Sequence, residues 1–282
     1  MQRTEPWPGP WRCPLCGGAL VGQAGGSLRC GKNHCFDRAK EGYWQLLPVQ
    51  GKHSKLPGDS KEMVAARRAF LQAGYYQAFG DALARLTLRQ QGGAALHVLD
   101  AGCGEGWYDR TLLAAARSQG RPVELAGFDI SKEAVRLAAK AEKEARYAVA
   151  SSFHQPVADG WADVVWNIFS PMAREEFLRV LRPGGVVLYA VPGPRHLFGM
   201  KQALYRTPYE NTEQEICYEG FVQIDRLRVE DVITVPADML ENLFAMTPYY
   251  WNTPADGAAR LRQLPQLTTE ICFDFLVLQK QA

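Results

Sequence analysis

The chain has 282 residues, 47% of them hydrophobic and 22% charged, with a net charge of +2. This is a globular composition, enough for one large domain or a domain plus a small module, and it excludes a disordered chain. No run of about 18 apolar residues occurs, and the opening MQRTEPWPGPW has no apolar stretch, so neither a membrane-spanning helix nor a secretory signal is expected.

Residues 1–10 are rich in Pro and Gly, and residues 11–48 form a cysteine-rich stretch with turn signals GG, AGG and GKN. Four of the seven cysteines fall in the first 35 residues. Without an export signal this points to metal binding in a reducing cytoplasm rather than to disulfides. Cys13 and Cys16 make a C-x2-C half-site. The second half offers Cys30, His34 and Cys35, one candidate more than a four-ligand zinc site needs. Spacing leaves His34 and Cys35 tied. A closed site of four such ligands is structural, and a module this short has too little core to fold without a staple.

Residues 49–60 read as a polar linker, and residues 60–90 turn helical behind an Asp-Ser cap signal, with Gly74 dividing two helices. Charge is uneven along the chain: residues 1–90 carry 13 Lys and Arg against 6 Asp and Glu, and residues 91–282 carry 19 against 24. A basic front on an acidic body suits a polyanionic partner. Lys32, Arg38, Lys40, Lys52, His53, Lys55, Arg67 and Arg68 are the candidate cations. Tyr43 and Trp44 are candidate stacking residues, with Trp44 equally suited to a small core.

From residue 96 short apolar strands alternate with amphipathic helices, which predicts a mostly parallel, doubly wound α/β sheet. The strand-like stretches FVQIDRLRVEDVITV and TTEICFDFLVLQK then predict an antiparallel edge. The expected division is residues 1–48 for the metal module, 49–90 for linker and helices, and 91–282 for the α/β domain.

The first strand of that domain ends in VLDAGCGEGW, residues 98–107. Gly102, Gly104 and Gly106 let the backbone turn and approach a ligand closely. Asp129 closes the second strand about 20 residues past the loop, where a ribose hydroxyl pair is held. No Lys-Ser/Thr follows the glycines, which excludes a P-loop, and the run is G-x-G-x-G rather than the dinucleotide G-x-G-x-x-G. Asp100 suits a cofactor with a cationic amino acid end, so the expected cofactor is S-adenosylmethionine. Asn167 and Phe169, in WNIFSP, end the fourth strand at the ligand side, where an amide and a ring would meet a base. The alternative for Phe169 is packing. Arg195 and His196 follow the fifth strand, and Arg195 would pair with a phosphate or a carboxylate.

CPLC, AKEGYWQLLPVQ, PGDS, VLDAGCGEGWY, PGPRHL and MTPYYW, taken in order from Cys13 to Trp251, resemble the 23S rRNA guanine-N1 methyltransferases. That resemblance implies a class I methyltransferase domain behind a zinc module that grips RNA. It implies methyl transfer from S-adenosylmethionine to N1 of one guanine in a hairpin of 23S rRNA domain II. It also implies a homodimer in the cytoplasm, and one group of the family confers macrolide resistance. It assigns the zinc ligands to Cys13, Cys16, Cys30 and His34, which breaks the tie. It assigns cofactor contacts to Tyr76, Gly104, Glu105 and His196. Two rival readings are a small-molecule methyltransferase and a non-catalytic zinc-ribbon RNA-binding protein. The basic front opposes the first, and the intact D-x-G-x-G-x-G with Asp129 opposes the second.

Overall fold

The computed structural model describes residues 9–48, 58–213 and 216–281, so the candidate cations Lys52, His53 and Lys55 lie outside the described residues. Three two-residue strands, β1 (Val21–Gly22), β2 (Leu28–Arg29) and β3 (Cys35–Phe36), pair antiparallel in that order and frame the cysteine-rich stretch. The next strand, β4 (Tyr43–Gln45), leaves this small sheet and becomes the outermost strand of the large one.

Two helices follow, α1 (Lys61–Gln72) and α2 (Gln77–Leu88). Ser60 caps α1, its hydroxyl accepting from the Met63 N–H at 3.2 Å, and Gly74 at φ 83° breaks the chain between the two helices as expected. The α/β core then runs β5 (Leu96–Ala101), α3 (Trp107–Ser118), β6 (Val123–Asp129), α4 (Lys132–Ala141), β7 (Arg146–Val149), β8 (Ala162–Ile168), α5 (Arg174–Val180) and β9 (Leu181–Pro192). The chain closes with α6 (Phe198–Leu204), β10 (Phe221–Pro236), α7 (Ala237–Ala245), α8 (Tyr249–Asn252), α9 (Ala255–Arg262) and β11 (Gln266–Lys280).

The large sheet has eight strands in the order β10-β11-β9-β8-β5-β6-β7-β4. Pairing is parallel from β9 through to β4, and β11 is antiparallel to both β9 and β10. This is a class I methyltransferase fold with an antiparallel edge. Order reverses at β5, between β6 and β8, which opens a crevice beyond the carboxyl ends of the central strands.

Alternation along the strands makes two apolar faces. Val98 and Trp166 point into one cluster with Phe70, Phe79, Leu112 and Val135 from α1 to α4. Leu99 and Val165 point into the other, with Phe177 and Val180 from α5. Trp11, Leu28 and Trp44 of the cysteine-rich segment belong to that second cluster, beside Phe128, Ala148 and Val157. The β7–β8 connection contains no helix, and the small sheet packs where one would lie. Trp44 is therefore core, its indole N–H donating to the Gly26 carbonyl at 3.0 Å, and Tyr43 is buried on the opposite face, in the helix-covered cluster. Neither is placed to stack on a base.

Candidate active site and metal centre

Near the N-terminus the ligand atoms of Cys13, Cys16, Cys30 and His34 all lie within 4.8 Å of one another. His34 Nδ1 stands 3.3 Å from the Cys13 sulfur and 3.4 Å from the Cys30 sulfur, and the Cys16 and Cys30 sulfurs are 3.7 Å apart. Tetrahedral zinc with Zn–S of about 2.3 Å sets its sulfurs about 3.8 Å apart, so this donor set fits structural zinc. A tight turn makes the convergence. Asn33, at φ 64°, donates its N–H to the Cys30 carbonyl at 2.9 Å, and the Cys30 N–H donates to the His34 carbonyl at 3.0 Å. Asn tolerates that left-handed backbone better than most residues. Cys35 is exposed and outside the cluster. It opens β3, and neighbours in extended chain point opposite ways, so His34 and Cys35 cannot both face the metal. Burial raises the Cys30 thiol, but the N–H groups of His34 and Lys32 and the neighbouring thiols outweigh it and bring it down to about 7, which favours the ligating thiolate.

Beyond the carboxyl ends of the central strands lies a cavity of about 660 Å³. Its lining includes Tyr76, Asp100, Gly102, Gly104, Glu105, Asp129, Phe169 and His196, drawn from α2's N-terminus, the β5 loop, β6, β8 and the segment after β9. The glycine loop is built for close approach. Gly102 has φ 105°, and a Cβ there would come within 2.8 Å of the Ser170 Cβ. At Gly104, φ 53°, a Cβ would meet nothing within 4 Å, so the backbone presents itself openly to a ligand.

The carboxylates divide by role. Asp129 accepts from the Gly104 N–H at 3.0 Å and from the Ser131 N–H at 2.8 Å, so it ties the loop to the end of β6. Asp100 is buried, and its carboxyl shares a proton with that of Asp109 in a carboxyl–carboxylate hydrogen bond. Burial and the neighbouring Asp109 push the Asp100 carboxyl well above the usual range. Burial also lifts Asp109 to about 6, although it accepts from the Tyr147 hydroxyl at 2.8 Å. A cation seated beside Asp100 would favour its ionised form. An acid pair of which Asp100 lines the cavity therefore fits the ammonium end of S-adenosylmethionine. Asp109 escaped the sequence reading because it sits in an ordinary amphipathic helix pattern; its burial comes from packing onto β7.

Glu105 is gripped by Arg110 at 3.0 Å and by Arg68 at 3.1 Å, a buried acid with two guanidinium partners. Arg67 is ion-paired with Asp59 and lines the cavity. These two arginines were expected to face RNA; Arg67 instead lines the cavity and Arg68 is ion-paired with Glu105 behind it. His196 Nδ1 accepts from the Cys272 N–H at 3.4 Å, and burial, with Lys201 nearby, drives the ring down to about 3. The neutral ring therefore carries its proton on Nε2, a tautomer inferred from that bond, and acts as a donor. Its ring packs on Phe273 at 4.2 Å.

Asn167 does not line the cavity. It is fully buried and its amide donates to Ser170 Oγ and to the Pro171 carbonyl, both at 3.0 Å, so it shapes the loop rather than meeting a base edge. Phe169, next to it, adopts φ 54°, is 53% exposed and does line the cavity. A bulky residue held left-handed and half exposed is a costly arrangement, concentrated at functional sites. Arg195 is committed to carboxylates, Glu210 at 2.7 Å and Glu270 at 3.2 Å, and lies outside the cavity lining. Lys32 and Lys40 stay exposed on the small sheet and its following turn.

Residues 11–55 match the family model described as RlmA, N-terminal, and residues 98–185 match a methyltransferase domain model. The 23S rRNA (guanine(748)-N(1))-methyltransferase of Streptomyces fradiae is 34% identical over 93% of this chain and 94% of its own length. YxjB of Bacillus subtilis (strain 168), provisionally named a 23S rRNA (guanine-N(1)-)-methyltransferase, is 31% identical over 95% of this chain and 96% of its own. By contrast, the malonyl-[acyl-carrier protein] O-methyltransferase of Pectobacterium atrosepticum is 29% identical over 48% of this chain and 55% of its own. Full-length likeness, zinc-ligand geometry and the cofactor cavity together identify the chain as a member of the RlmA family of S-adenosylmethionine-dependent 23S rRNA guanine-N1 methyltransferases.

Proposed function

We propose that this protein transfers a methyl group from S-adenosylmethionine to N1 of one guanine in a 23S rRNA domain II hairpin, acting in the cytoplasm as a homodimer. The observation that carries the reading is one cavity in which the glycine loop, Asp100 and Asp129 meet the exposed, left-handed Phe169. In this reading Asp129 takes the ribose, Asp100 the ammonium group, and Tyr76 and His196 the remainder of the cofactor, a reading supported by their common place in the cavity lining. When bound, S-adenosylmethionine supplies an electrophilic methyl group on a sulfonium. The protein's task is to hold the acceptor nitrogen in line with it.

Guanine N1 carries a proton in a base pair, so the base must leave its stack and lose that proton. The groups present restrict where it goes. His196 is already a donor at Nε2. Glu105 lies between two arginines, and Asp129 accepts two backbone N–H groups. None of the three offers a free base. Primer extension on 23S rRNA from a strain lacking the gene tests the reading, because N1-methylguanine stops reverse transcriptase. The domain II stop should vanish on deletion and return with the gene; an unchanged stop sinks the proposal. No helix among the described residues is long and apolar enough to cross a membrane.

A further inference from the structure

We propose that Trp251 is a stacking surface for the unpaired target guanine, working with Phe169 at the mouth of the same cavity. The inference rests on the function proposed above and assigns a residue to its substrate.

Trp251 is 69% exposed, more than any other large apolar side chain among the described residues. Its exposure is built rather than incidental. The short helix α8 is fixed through its neighbours: Tyr249 packs at 6.3 Å from Tyr205, and Tyr250 at 5.3 Å from Phe244. The Trp251 N–H donates to the Pro248 carbonyl at 3.3 Å, and the Thr253 N–H to the Tyr249 carbonyl at 3.0 Å. What remains outside is the indole itself, edge-on to Tyr250 at 5.1 Å. Both Trp251 and Phe169 line the cavity. They come from α8 and the end of β8, and nothing in the fold of either element requires its ring to face solvent.

The chemistry of the mouth selects the occupant. Arg67 is the sole Lys or Arg among the described residues lining the cavity, and it is already paired with Asp59. Such a mouth has little to offer a phosphate, whereas exposed rings suit a flat heterocycle. Sheet order separates two subsites. Asp129 at the end of β6 and Ser151–Phe153 after β7 lie on one side of the glycine loop, as the cofactor's nucleoside requires. Phe169 after β8 and His196 after β9 lie on the other. An unstacked guanine entering on the second side gains rings in exchange for those it left.

The test uses the full chain, S-adenosylmethionine and a transcript of the 23S rRNA hairpin. Stacking on one aromatic side chain is worth about 5- to 150-fold in binding. Trp251→Ala should lower single-turnover kcat/KM for the hairpin by a factor in that range, with calorimetric affinity for S-adenosylmethionine unchanged. Trp251→Phe should recover most of the loss. A 2-aminopurine placed at the target guanine should brighten more in complexes of Trp251→Ala than in wild type, since an indole face quenches it. Wild-type kinetics in Trp251→Ala, or a parallel loss of cofactor affinity, overturns the assignment. A wild-type protein that leaves the hairpin unmethylated while binding S-adenosylmethionine instead overturns the function on which the assignment rests.

Discussion

The two faces of the large sheet are covered by different means. On one, α1 to α4 lay down Phe70, Phe79, Leu112 and Val135, and each helix satisfies its own backbone while it packs. On the other, α5 contributes Phe177 and Val180, Phe221 packs with Ile216 and Tyr218, and the zinc ribbon adds Trp11, Leu28 and Trp44. The ribbon has three two-residue strands and shares its apolar residues with the sheet. It grips the β7–β8 connection closely. The Arg12 N–H donates to the Pro156 carbonyl at 2.9 Å, the Ala158 N–H donates to the Pro10 carbonyl at 2.8 Å, and Trp11 bridges Val157. That same connection begins with Ser151, Ser152 and Phe153, which line the cofactor cavity. The difference teaches that one face of the catalytic fold is closed by a metal-stapled element that reaches the wall of the cofactor pocket.

Removing the metal breaks the comparison most severely. Structural zinc contributes roughly 10 kcal/mol or more to folding such modules. Cys13→Ser or strong chelation should abolish zinc binding, unfold the ribbon, and weaken S-adenosylmethionine binding about tenfold, the size of an ordinary coupling between linked sites. Zinc assay and calorimetry on the same sample check it. Full cofactor affinity without zinc would show the pocket wall to be independent of the ribbon. Next in size is Phe273→Ala on the helix-covered face. Phe273 is buried between Phe79 at 4.6 Å, Tyr76 at 5.1 Å and His196 at 4.2 Å, so truncation should cost about 3–5 kcal/mol. The melt should shift down while one zinc per chain is retained. Zinc loss in parallel would mean that the two faces fail together.

The alternating strands and helices, the Gly74 break, the antiparallel edge and the loop from Asp100 to Gly106 were legible because each is written in local pattern. The ribbon's part in the sheet was not. Tyr43–Gln45 is three residues inside a turn-rich stretch, and its pairing with β7 at Tyr147–Val149 joins positions about a hundred residues apart. Arg67 and Arg68 read as surface cations because nothing in their helix announces Asp59 and Glu105 as partners. Asn167 reads as a base-facing amide because it ends a strand at the ligand side. Its orientation is decided by Ser170 and Pro171, which only the turn after β8 brings near. Trp251 was quoted within a motif, but exposure depends on α8 being pinned by Tyr205 and Phe244, contacts without a sequence period.

A pH experiment sharpens the comparison at the helix-covered face. His196 titrates near 3 when folded against about 6.5 when unfolded. Between these values the unfolded chain binds more protons, so stability falls as pH drops below about 6.5. Against His196→Gln, wild type should lose about 2 kcal/mol more between pH 7 and pH 5. Denaturant melts at the two pH values measure the difference. Asp109, lifted to about 6 by burial, acts with the opposite sign but is common to both proteins and cancels. Parallel stability curves would place His196 in contact with water.

The smallest effect belongs to Cys35, and its smallness is informative. Cys35 is exposed in β3, across from Arg29, with its side chain turned away from the metal cluster. Cys35→Ser removes a thiol that touches no ligand atom, so stability should stay within about 0.5 kcal/mol and zinc at one per chain. His34→Ala removes the nitrogen that closes the tetrahedron, and zinc should be lost or weakened. If Cys35 rescued the site in His34→Ala, the double variant would lose metal that the single variant keeps. β3 would then have to turn over so that Cys35 replaces His34, breaking the Leu28–Phe36 and Arg29–Cys35 pairing. A one-residue slip flips every side chain of a strand to its other face. The pairing of three two-residue strands is thus what makes the choice between His34 and Cys35, and equal zinc content in His34→Ala and the double variant is the expected result.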